Sequence, residues 1–256
     1  MKVISIATQK GGVGKTTSSM EIASALNIEH EKKVLLIDFD QQGNLSKYVG
    51  VNDNKNNIYN ALHDSKIIKE CIRTLEFFDF IPSSPELSKS DIEFNNSEDV
   101  FLLDDALDLI KENYDYIIID NGPQRNKLLQ MAYVASDYII APCDDTEGGS
   151  DGLINVYNDV EKMKNARMQL SNAEIIGVII TRYKGQTTLN KVAVDILNSV
   201  MNKINPKGFV LPVRDSIKVS EAKYKRTSVQ KYATYNNAAI DYRKITQTLI
   251  DYEKGE

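Results

Sequence analysis

An eight-residue segment near the start of the chain constrains its fold more than any other feature. Residues 10–17 read K-G-G-V-G-K-T-T, follow an apolar run at residues 3–7 and precede a helix-compatible stretch at residues 18–26. A strand, a glycine-rich turn and a helix in this order are typical of a phosphate-binding loop. The alternative is a glycine-rich turn without a ligand, but the flanking segments favour the loop.

The residue types of this segment suit the binding of a polyphosphate. Gly11, Gly12 and Gly14 lack a Cβ atom, so the backbone can bend sharply and bring its N–H groups close to an anion. A helix that begins near Lys15 directs its positive end at the same anion. Lys15 is expected to reach the β- and γ-phosphates, and the Thr16 hydroxyl is expected to ligate Mg²⁺.

The start of the loop departs from the common pattern G-x-x-x-x-G-K-[ST]. Gln9 stands where that pattern has glycine, and Lys10 follows it. A lysine at this point cannot easily curl back onto its own nucleotide, but it is well placed for one held by a facing subunit. The segment resembles the loop K-G-G-x-x-K-[ST] of the deviant Walker A ATPases. That family includes the ParA/Soj partition ATPases, the MinD cell-division ATPases and the nitrogenase iron protein.

The resemblance implies ATP and Mg²⁺ as ligands and a homodimer that forms with ATP. It assigns to Lys10 a contact with the partner's phosphates across an ATP sandwich, and to Lys10 and Lys15 a part in catalysis. The nucleotide-binding residues expected in the loop are Lys10, Gly11, Gly12, Val13, Gly14, Lys15, Thr16 and Thr17.

Short apolar runs alternate with longer amphipathic segments along most of the chain. The runs predicted as strands are residues 3–7, 34–37, 77–81, 116–119, 138–141, 175–180 and 209–213. The segments predicted as helices are residues 15–26, 100–113, 127–134, 152–168, 189–204 and 238–252. This alternation predicts an α/β fold with a doubly wound, mainly parallel twisted sheet and helices on both faces. The polar stretches 51–57 and 82–96 are interpreted as surface loops or short helices.

The length and composition fit one large globular domain. With 256 residues, the chain is long enough for a single P-loop ATPase domain over 1–256. No run approaches the roughly 18–20 apolar residues of a membrane-spanning helix, and an immediate first strand leaves no room for a signal peptide. Cys71 and Cys143 are too few for a disulfide framework or a zinc site, so a reducing cytoplasm is the simplest expectation.

Two aspartates follow the second apolar run. Asp38 and Asp40 are two positions apart on an extended segment, so they point to the same side, and either could face Mg²⁺ and the γ-phosphate. Partition ATPases carry D-x-D-P-Q-G-N here, and by resemblance Asp40 orients the attacking water and contacts the metal. Asp38 could equally cap nearby amides at the strand end. Gln41 replaces the family's usual proline and is expected to loosen this loop.

A third aspartate ends the run at residues 116–119. Four apolar residues before Asp120 have the form of a Walker B strand, whose carboxylate holds Mg²⁺, usually through water. A plain strand-end aspartate is the alternative. The family reads D-x-P-P or D-x-x-P at this place. Asn121 and Gly122 replace the usual threonine or cysteine and proline, whereas Pro123 is kept, so the conformation of the following loop is open.

Two later segments resemble the family's adenine pocket. Arg182 lies in a T-R-Y stretch after the sixth apolar run, and Pro212 and Arg214 lie in a P-V-R stretch after the seventh. The resemblance places these three residues around the purine; the alternatives are a surface salt bridge and a turn proline. Glu147 and Gly152 resemble the stretch that leads into a dimer-facing helix.

The resemblance leaves a choice between branches of the family. Cluster-binding relatives need bridging cysteines, and MinD-type proteins end in a basic amphipathic helix, whereas this chain ends acidic on balance. Bacterial tyrosine kinases carry tyrosine-rich C-termini but lack the Lys10-Gly11-Gly12 start. For the tyrosines Tyr224, Tyr232, Tyr235, Tyr242 and Tyr252, ordinary packing is the better interpretation.

A basic segment favours the ParA/Soj branch. Residues 207–231 contain seven lysines and arginines against two acids, a local balance of +5 in a chain of −5. Clustered cations bind DNA phosphates by releasing counterions, without reading sequence. Residues 217–222 resemble the family's V-R-L-S-E-A, with Lys218 in place of the DNA-binding arginine. A second family contact falls near the uncharged Gln186. The expected DNA-binding residues are Arg182, Lys184, Lys218, Lys223, Lys225 and Arg226; a solvated basic face is the alternative.

Together these features predict a dimerising, Mg²⁺-dependent ATPase that acts in plasmid or chromosome partition. It is expected to bind non-specific DNA in its ATP state and to respond to a ParB-like centromere-binding protein. Slow intrinsic turnover and a cytoplasmic, nucleoid-associated location without membrane attachment are further expectations. The alternatives are a MinD-like membrane-associated positioning ATPase and a nucleotide-binding regulator with little turnover.

Overall fold

The computed structural model describes residues 1–51, 53, 55–144, 149–166, 169–185 and 188–255. The described strands form one eight-stranded sheet with the order β3-β4-β2-β5-β1-β6-β7-β8. They are β1 (Lys2–Ile6), β2 (Val34–Phe39), β3 (Arg73–Thr74), β4 (Asp79–Ile81), β5 (Tyr116–Asn121), β6 (Tyr138–Cys143), β7 (Glu174–Tyr183) and β8 (Phe209–Arg214). All neighbours pair in parallel except β3 and β4. The predicted doubly wound, mainly parallel sheet is confirmed.

Helices cover both faces of this sheet. They are α1 (Lys15–His30), α2 (Asn44–Val49), α3 (Ile58–His63), α4 (Ser90–Glu93), α5 (Leu102–Asp108), α6 (Lys127–Ala135), α7 (Gly149–Lys164), α8 (Thr188–Ile204), α9 (Ile217–Tyr224), α10 (Val229–Tyr232) and α11 (Asn237–Lys254). Short 3₁₀ helices occupy Ser65–Cys71, Pro85–Lys89, Glu98–Phe101 and Lys111–Asn113. Within the described residues, no helix combines the length and apolar character needed to cross a membrane.

The central strands are apolar on successive residues because both of their faces are covered. Every residue of β2 and β5 is buried. Leu36 packs in a cluster with residues of α1 and α11, whereas its neighbour Leu35 packs on the other face with residues of α5 and α6. Side chains that alternate between the two faces therefore hold the helices against the sheet.

One predicted helix is shorter than expected. Residues 100–113 were predicted as a continuous helix, but only α5 (Leu102–Asp108) is α-helical, with a 3₁₀ turn on either side. The amides of Leu109 and Ile110 bond to carbonyls three residues earlier, which tightens the chain after Asp108.

The sheet order brings the ends of β1 and β5 together at a switch point. The chain leaves β1 for β2 on one side, and it leaves β5 for β6 on the other side. Ligands of such sheets bind beyond the carboxyl ends of the strands at this place. The residues 10–17 loop follows β1 and Asp120 lies in β5, so the fold places both at the switch point.

Candidate active site

The loop between β1 and α1 has the backbone of an open cradle. Gly12 and Gly14 have φ values of 75° and 85°, which favour glycine. A Cβ atom added at Gly11 or Gly12 would meet nothing within 4 Å, so space lies open above both. At Gly14 a Cβ atom would come within 3.1 Å of the Thr181 side chain. Gly14 is therefore required by its conformation and by the close approach of β7.

The end of β7 fixes this loop from one side. The Thr181 hydroxyl lies 3.0 Å from the Val13 carbonyl and 3.2 Å from that of Cys143. Arg182 donates to the Gly12 carbonyl at 2.9 Å and has a φ of 55°, uncommon for a residue other than glycine. These bonds hold the loop carbonyls back toward the protein.

Lys15 lies beneath the loop. Its side chain is buried, and its Nζ donates to the Lys10 carbonyl at 3.0 Å. Burial lowers the pKa of the Lys15 ammonium, whereas Asp120 and Asp40 oppose that shift. A desolvated ammonium at the start of α1 interacts strongly with an anion that enters the cradle.

Lys10 does not fold over its own loop. Its Nζ lies 2.9 Å from the carboxylate of Asp144, just after β6. The lysine side chain is 38 % exposed and the aspartate 15 % exposed. The ion pair holds this ammonium at the rim of the site.

Asp120 lies at the bottom of the site. It is fully buried, and its register partners are Ile6 of β1 and Asp38 of β2. Its Oδ1 accepts a hydrogen bond from the Ser19 hydroxyl at 2.9 Å, and the Thr16 and Ser19 hydroxyls act to lower the pKa of the carboxyl group. Burial, with a smaller effect from Asp38, raises the pKa of Asp120 to about 8.

The residues present fit a bound Mg²⁺. The second oxygen of Asp120 is buried without a hydrogen-bond partner among the described residues, an arrangement that a cation would relieve. The Thr16 hydroxyl and the Asp40 carboxylate supply oxygen atoms of the kind that Mg²⁺ prefers. No group of three or more His, Cys, Asp and Glu that could hold a metal occurs among the described residues. Binding would therefore rely on substrate phosphates and water, as is usual for Mg²⁺.

Asp40 is held on the loop that follows β2. Its Oδ1 accepts from the Gln42 amide at 3.0 Å, and its carbonyl accepts from the Gly43 amide at 2.8 Å and the Ser83 hydroxyl at 2.6 Å. A Cβ atom at Gly122 would come within 3.0 Å of the same Oδ1. The glycine that replaces the family's proline thus leaves room for this carboxylate.

Asp38 has a different environment from Asp40. Its Oδ2 accepts from both the amide and the hydroxyl of Ser46, each at 2.7 Å. Burial raises the pKa of Asp38 to about 6, and the Ser46 hydrogen bonds oppose that shift. The contacts match the capping interpretation, because they tie the first turns of α2 to the end of β2.

Gln41 links the two loops that face the phosphate site. Its side-chain amide donates to the Gln124 side chain at 2.8 Å. A proline at position 41 could not donate this hydrogen bond. Gln41 therefore adds a contact between the loop after β2 and the loop after β5.

A cavity of about 210 Å³ lies beside the loop and fits the expected adenine position. Gly12 and Thr17 line it on the loop side, and Arg182 and Arg214 line it from the ends of β7 and β8. Arg214 is held by two hydrogen bonds to Asp241, at 2.8 and 2.7 Å. The third residue predicted here does not line the cavity: Pro212 lies in β8 and pairs with Ile180 of β7.

The residues predicted to contact DNA lie in two groups. Arg182 lies at the end of β7 near the phosphate loop and Lys184 follows that strand, whereas Lys218, Lys223, Lys225 and Arg226 lie in and after α9. Lys218 is paired with Glu221 at 2.8 Å, so its charge is partly neutralised. Gln186 and Glu147 lie outside the described residues.

Two residues of the second group, Lys223 and Arg226, lie against α2 and the residue that follows it. The Lys223 Nζ lies 5.5 Å from the centre of the Tyr48 ring. A Cβ atom at Gly50, which ends α2, would come within 2.9 Å of the Arg226 side chain. The basic segment therefore packs against the helix that follows Asp40.

Sequence reasoning missed several residues that hold the site together. Ser19 lies three residues after Thr16, on the same helix face, and this spacing could have indicated its bond to Asp120. Asp144 follows β6 and so lies at the same sheet edge as Asp120. That position after an apolar run is the one feature of the sequence that could have indicated Asp144. Ser46 carries no signal in the sequence, and Thr181 lies in the T-R-Y stretch without a predicted bond of its own, because the partners of both are set by tertiary packing.

Comparisons with known proteins agree with this geometry. A family model described as an AAA domain matches residues 1–175. The chain is 32 % identical to the sporulation initiation inhibitor protein Soj of Bacillus subtilis over 227 residues, covering 86 % of this chain and 87 % of Soj. It is 30 % identical to the chromosome partitioning protein ParA of Caulobacter vibrioides over 264 residues, covering 99 % and 96 % of the two chains.

A solved structure shares the whole fold. It is a Borrelia burgdorferi protein described as a plasmid partition protein, bound to AMPPNP. It superposes with a TM-score of 0.79 at 26 % identity and covers 98 % of this chain and 99 % of that one. The phosphate loop, the paired aspartates and these similarities over almost the full length lead to one assignment. This chain belongs to the ParA/Soj-type partition ATPases of the deviant Walker A class.

Proposed function

We propose that residues 1–256 form one ATPase domain that hydrolyses ATP slowly to ADP and phosphate and acts in DNA partition. The observation that supports this most is the convergence of Lys15, Thr16, Asp40 and Asp120 at one sheet edge. Phosphoryl transfer depends mainly on positioning and on charge stabilisation, and these residues offer both.

Each side chain has a distinct part in the proposed reaction. The loop amides and Lys15 bind the phosphates, and Thr16, Asp40 and Asp120 would hold Mg²⁺, which neutralises charge on the phosphate oxygens. Asp40 orients the attacking water and accepts its proton. Gly122 leaves room for this carboxylate, because a Cβ atom there would come within 3.0 Å of its Oδ1.

We propose that ATP closes a homodimer through Lys10. In the single chain this lysine pairs with Asp144, at the rim of the site rather than over its own loop. The ATP on a facing subunit presents its phosphates to the Lys10 ammonium. These phosphates carry more negative charge than the single Asp144 carboxylate. The ion pair would then be exchanged for a contact across the interface, so that dimerisation depends on the nucleotide.

The proposed role in partition involves DNA and a second protein. Two relatives, at 32 % and 30 % identity, bear the names Soj and chromosome partitioning protein ParA. The exposed cations at and after α9 suit the phosphates of non-specific DNA. We place the protein in the cytoplasm, on the nucleoid when ATP is bound, with a ParB-like centromere-binding protein as the activator of hydrolysis.

Steady-state phosphate release tests this function directly. The wild-type chain with ATP and Mg²⁺ is expected to release phosphate slowly, and faster with DNA and a ParB-like partner. Lys15→Ala should abolish both ATP binding and release, because no other side chain replaces its buried ammonium. Lys66→Ala, at an exposed lysine far from the loop in sequence, should change neither. Tight ATP binding without release under any condition would instead identify a nucleotide-binding regulator, and binding to liposomes only with ATP would identify a membrane-positioning ATPase.

A further inference from the structure

Exposed cations flank an exposed aromatic ring at the end of α9. Lys223, Tyr224, Lys225 and Arg226 are four consecutive exposed residues. The Tyr224 side chain is 85 % exposed, although a tyrosine ring usually gains stability by packing. Cations that interleave with an aromatic ring are typical of surfaces that bind nucleic acid.

Two further tyrosines follow along the chain, and contacts join the first of them to α9. The Tyr232 hydroxyl donates to the Glu221 carboxylate at 2.9 Å, one helical turn before Tyr224. The Lys218 ammonium pairs with that carboxylate and lies 5.9 Å from the centre of the Tyr232 ring. Tyr235 follows three residues later and is 92 % exposed. The tyrosine patch is formed by Tyr224, Tyr232 and Tyr235 with Lys218, Lys223 and Lys225.

Packing does not account for this patch, which corrects the interpretation drawn from the sequence. Tyr242 is buried and bonds to Ser18, as ordinary packing requires. Tyr252 is partly buried against the Tyr138 ring. The rings of Tyr224 and Tyr235 are instead left in water, so their presence contributes almost nothing to the apolar core.

Duplex DNA does not account for the patch either. The bases of a duplex are already stacked on one another, so a surface tyrosine reaches a base face there only if a base step is unstacked, at a cost of about a few kcal/mol. Lysine and arginine supply contacts to phosphate and sugar without any ring. Unpaired bases offer free faces, on which an exposed ring stacks whatever the base.

We propose that the tyrosine patch binds single-stranded DNA. Tyr224 and Tyr235 stack on unpaired bases while Lys223 and Lys225 contact the phosphates between them. This inference rests on the proposed DNA-binding function and gives it a preferred form of DNA. A strand with exposed bases would then be held more tightly than a duplex of the same sequence.

Fluorescence anisotropy with a labelled 20-nucleotide oligonucleotide, single-stranded or annealed, tests this proposal on the full chain with ATP. Tyr224→Ala combined with Tyr235→Ala should weaken binding of the single strand about tenfold or more and leave duplex binding within about twofold. The matched control, Tyr224→Phe with Tyr235→Phe, keeps both rings and should bind like the wild type. Unchanged single-strand binding by the alanine variant, or an equal loss for both forms, would overturn the proposal.

An optical reporter gives a second readout that does not depend on affinity. The chain contains no tryptophan, so Tyr224→Trp introduces a single one at an exposed position. Stacking should quench its fluorescence when the single strand is added, whereas the duplex should leave it nearly unchanged. No quenching by a strand that binds would contradict stacking at this residue.

The two proposals can fail separately. If the wild type binds duplex DNA but the alanine variant keeps full single-strand affinity, only the stacking inference falls. If the wild type binds the single strand through the tyrosines but not the duplex, the inference stands and the proposed duplex binding falls. Binding of neither form with ATP overturns both.

Discussion

At the scale of single residues, the space around Asp40 decides how well the site can work. Its carbonyl accepts hydrogen bonds from the Gly43 amide and the Ser83 hydroxyl, which hold the backbone at this residue. Gly122 lies beside the carboxylate, and a Cβ atom added there would come within 3.0 Å of Oδ1. A contact that close forces the neighbour to shift, and small shifts of a positioning group lower reaction rates.

Gly122→Ala should therefore lower the rate of phosphate release roughly three- to tenfold at saturating ATP. ATP affinity should hardly change, because Lys15 and the loop amides lie away from Gly122. A titration of release rate against ATP separates these two quantities, and a thermal melt checks that the fold is intact. A variant with the wild-type rate would show that Asp40 does not need this space.

At the scale of elements, a buried acid joins three helices. The Oε1 atom of Glu21 in α1 accepts a hydrogen bond from the Val229 amide of α10 at 2.8 Å. The Tyr48 hydroxyl of α2 lies 3.4 Å from the same Oε1 atom. The Tyr48 hydroxyl also lies 3.3 Å from the Thr227 carbonyl. Burial, only partly offset by these hydrogen bonds, raises the pKa of Glu21 to about 8.

This acid makes stability depend on pH. In the unfolded chain the Glu21 carboxyl has its usual pKa near 4.5, whereas in the folded chain that pKa is about 8. Between these values folding takes up a proton, so stability is full below pH 4.5 and falls as the pH rises toward 8. Asp120 and Asp38 have raised pKa values as well and act in the same direction.

Thermal unfolding of the nucleotide-free chain from pH 5 to pH 8 tests this linkage. The melting temperature of the wild type should fall across the range, and that of Glu21→Gln should fall less, because one of the three acids is replaced by its neutral counterpart. Between pH 5 and pH 8 the fall in melting temperature should be smaller for the variant than for the wild type, by roughly 3 °C or more. Equal slopes for both proteins would contradict a raised pKa at Glu21.

The elements also show what the sequence could and could not predict. The strand Val34–Phe39 was predictable because burial on both faces makes every residue except Asp38 apolar. The helix Ile217–Tyr224 was not, because it is short and turns only Ala222 fully inward. The phosphate loop, Asp40 and Asp120 could be named from local motifs. The Lys10–Asp144 pair could not, because it joins positions 134 residues apart through the sheet order.

At the scale of the whole molecule, the central claim concerns two lysines with separate tasks. Lys15 lies buried beneath its own loop, whereas Lys10 lies at the rim against Asp144. The account requires Lys10 to leave that carboxylate when a second subunit binds ATP. Breaking a partly exposed ion pair costs little free energy, so the pair would tune dimerisation rather than prevent it.

Asp144→Asn should therefore strengthen the ATP-dependent dimer about two- to fivefold, because Lys10 no longer has to leave the Asp144 carboxylate. Sedimentation velocity over a range of protein concentrations measures the dissociation constant. A Lys10→Ala variant is expected to stay monomeric, and adding Asp144→Asn to it should not restore a dimer, since the ion pair is already absent. A dimer of the double variant would place the effect of Asp144 elsewhere.

Light scattering of the chain with Mg²⁺ and AMPPNP measures whether the nucleotide closes a dimer through Lys10. We expect twice the 28.8 kDa of one chain for the wild type, and 28.8 kDa for the wild type with ADP. Lys10→Ala should bind AMPPNP yet stay at the single mass. A single mass for the nucleotide-bound wild type, or a full dimer of Lys10→Ala, would show that Lys10 does not have this task.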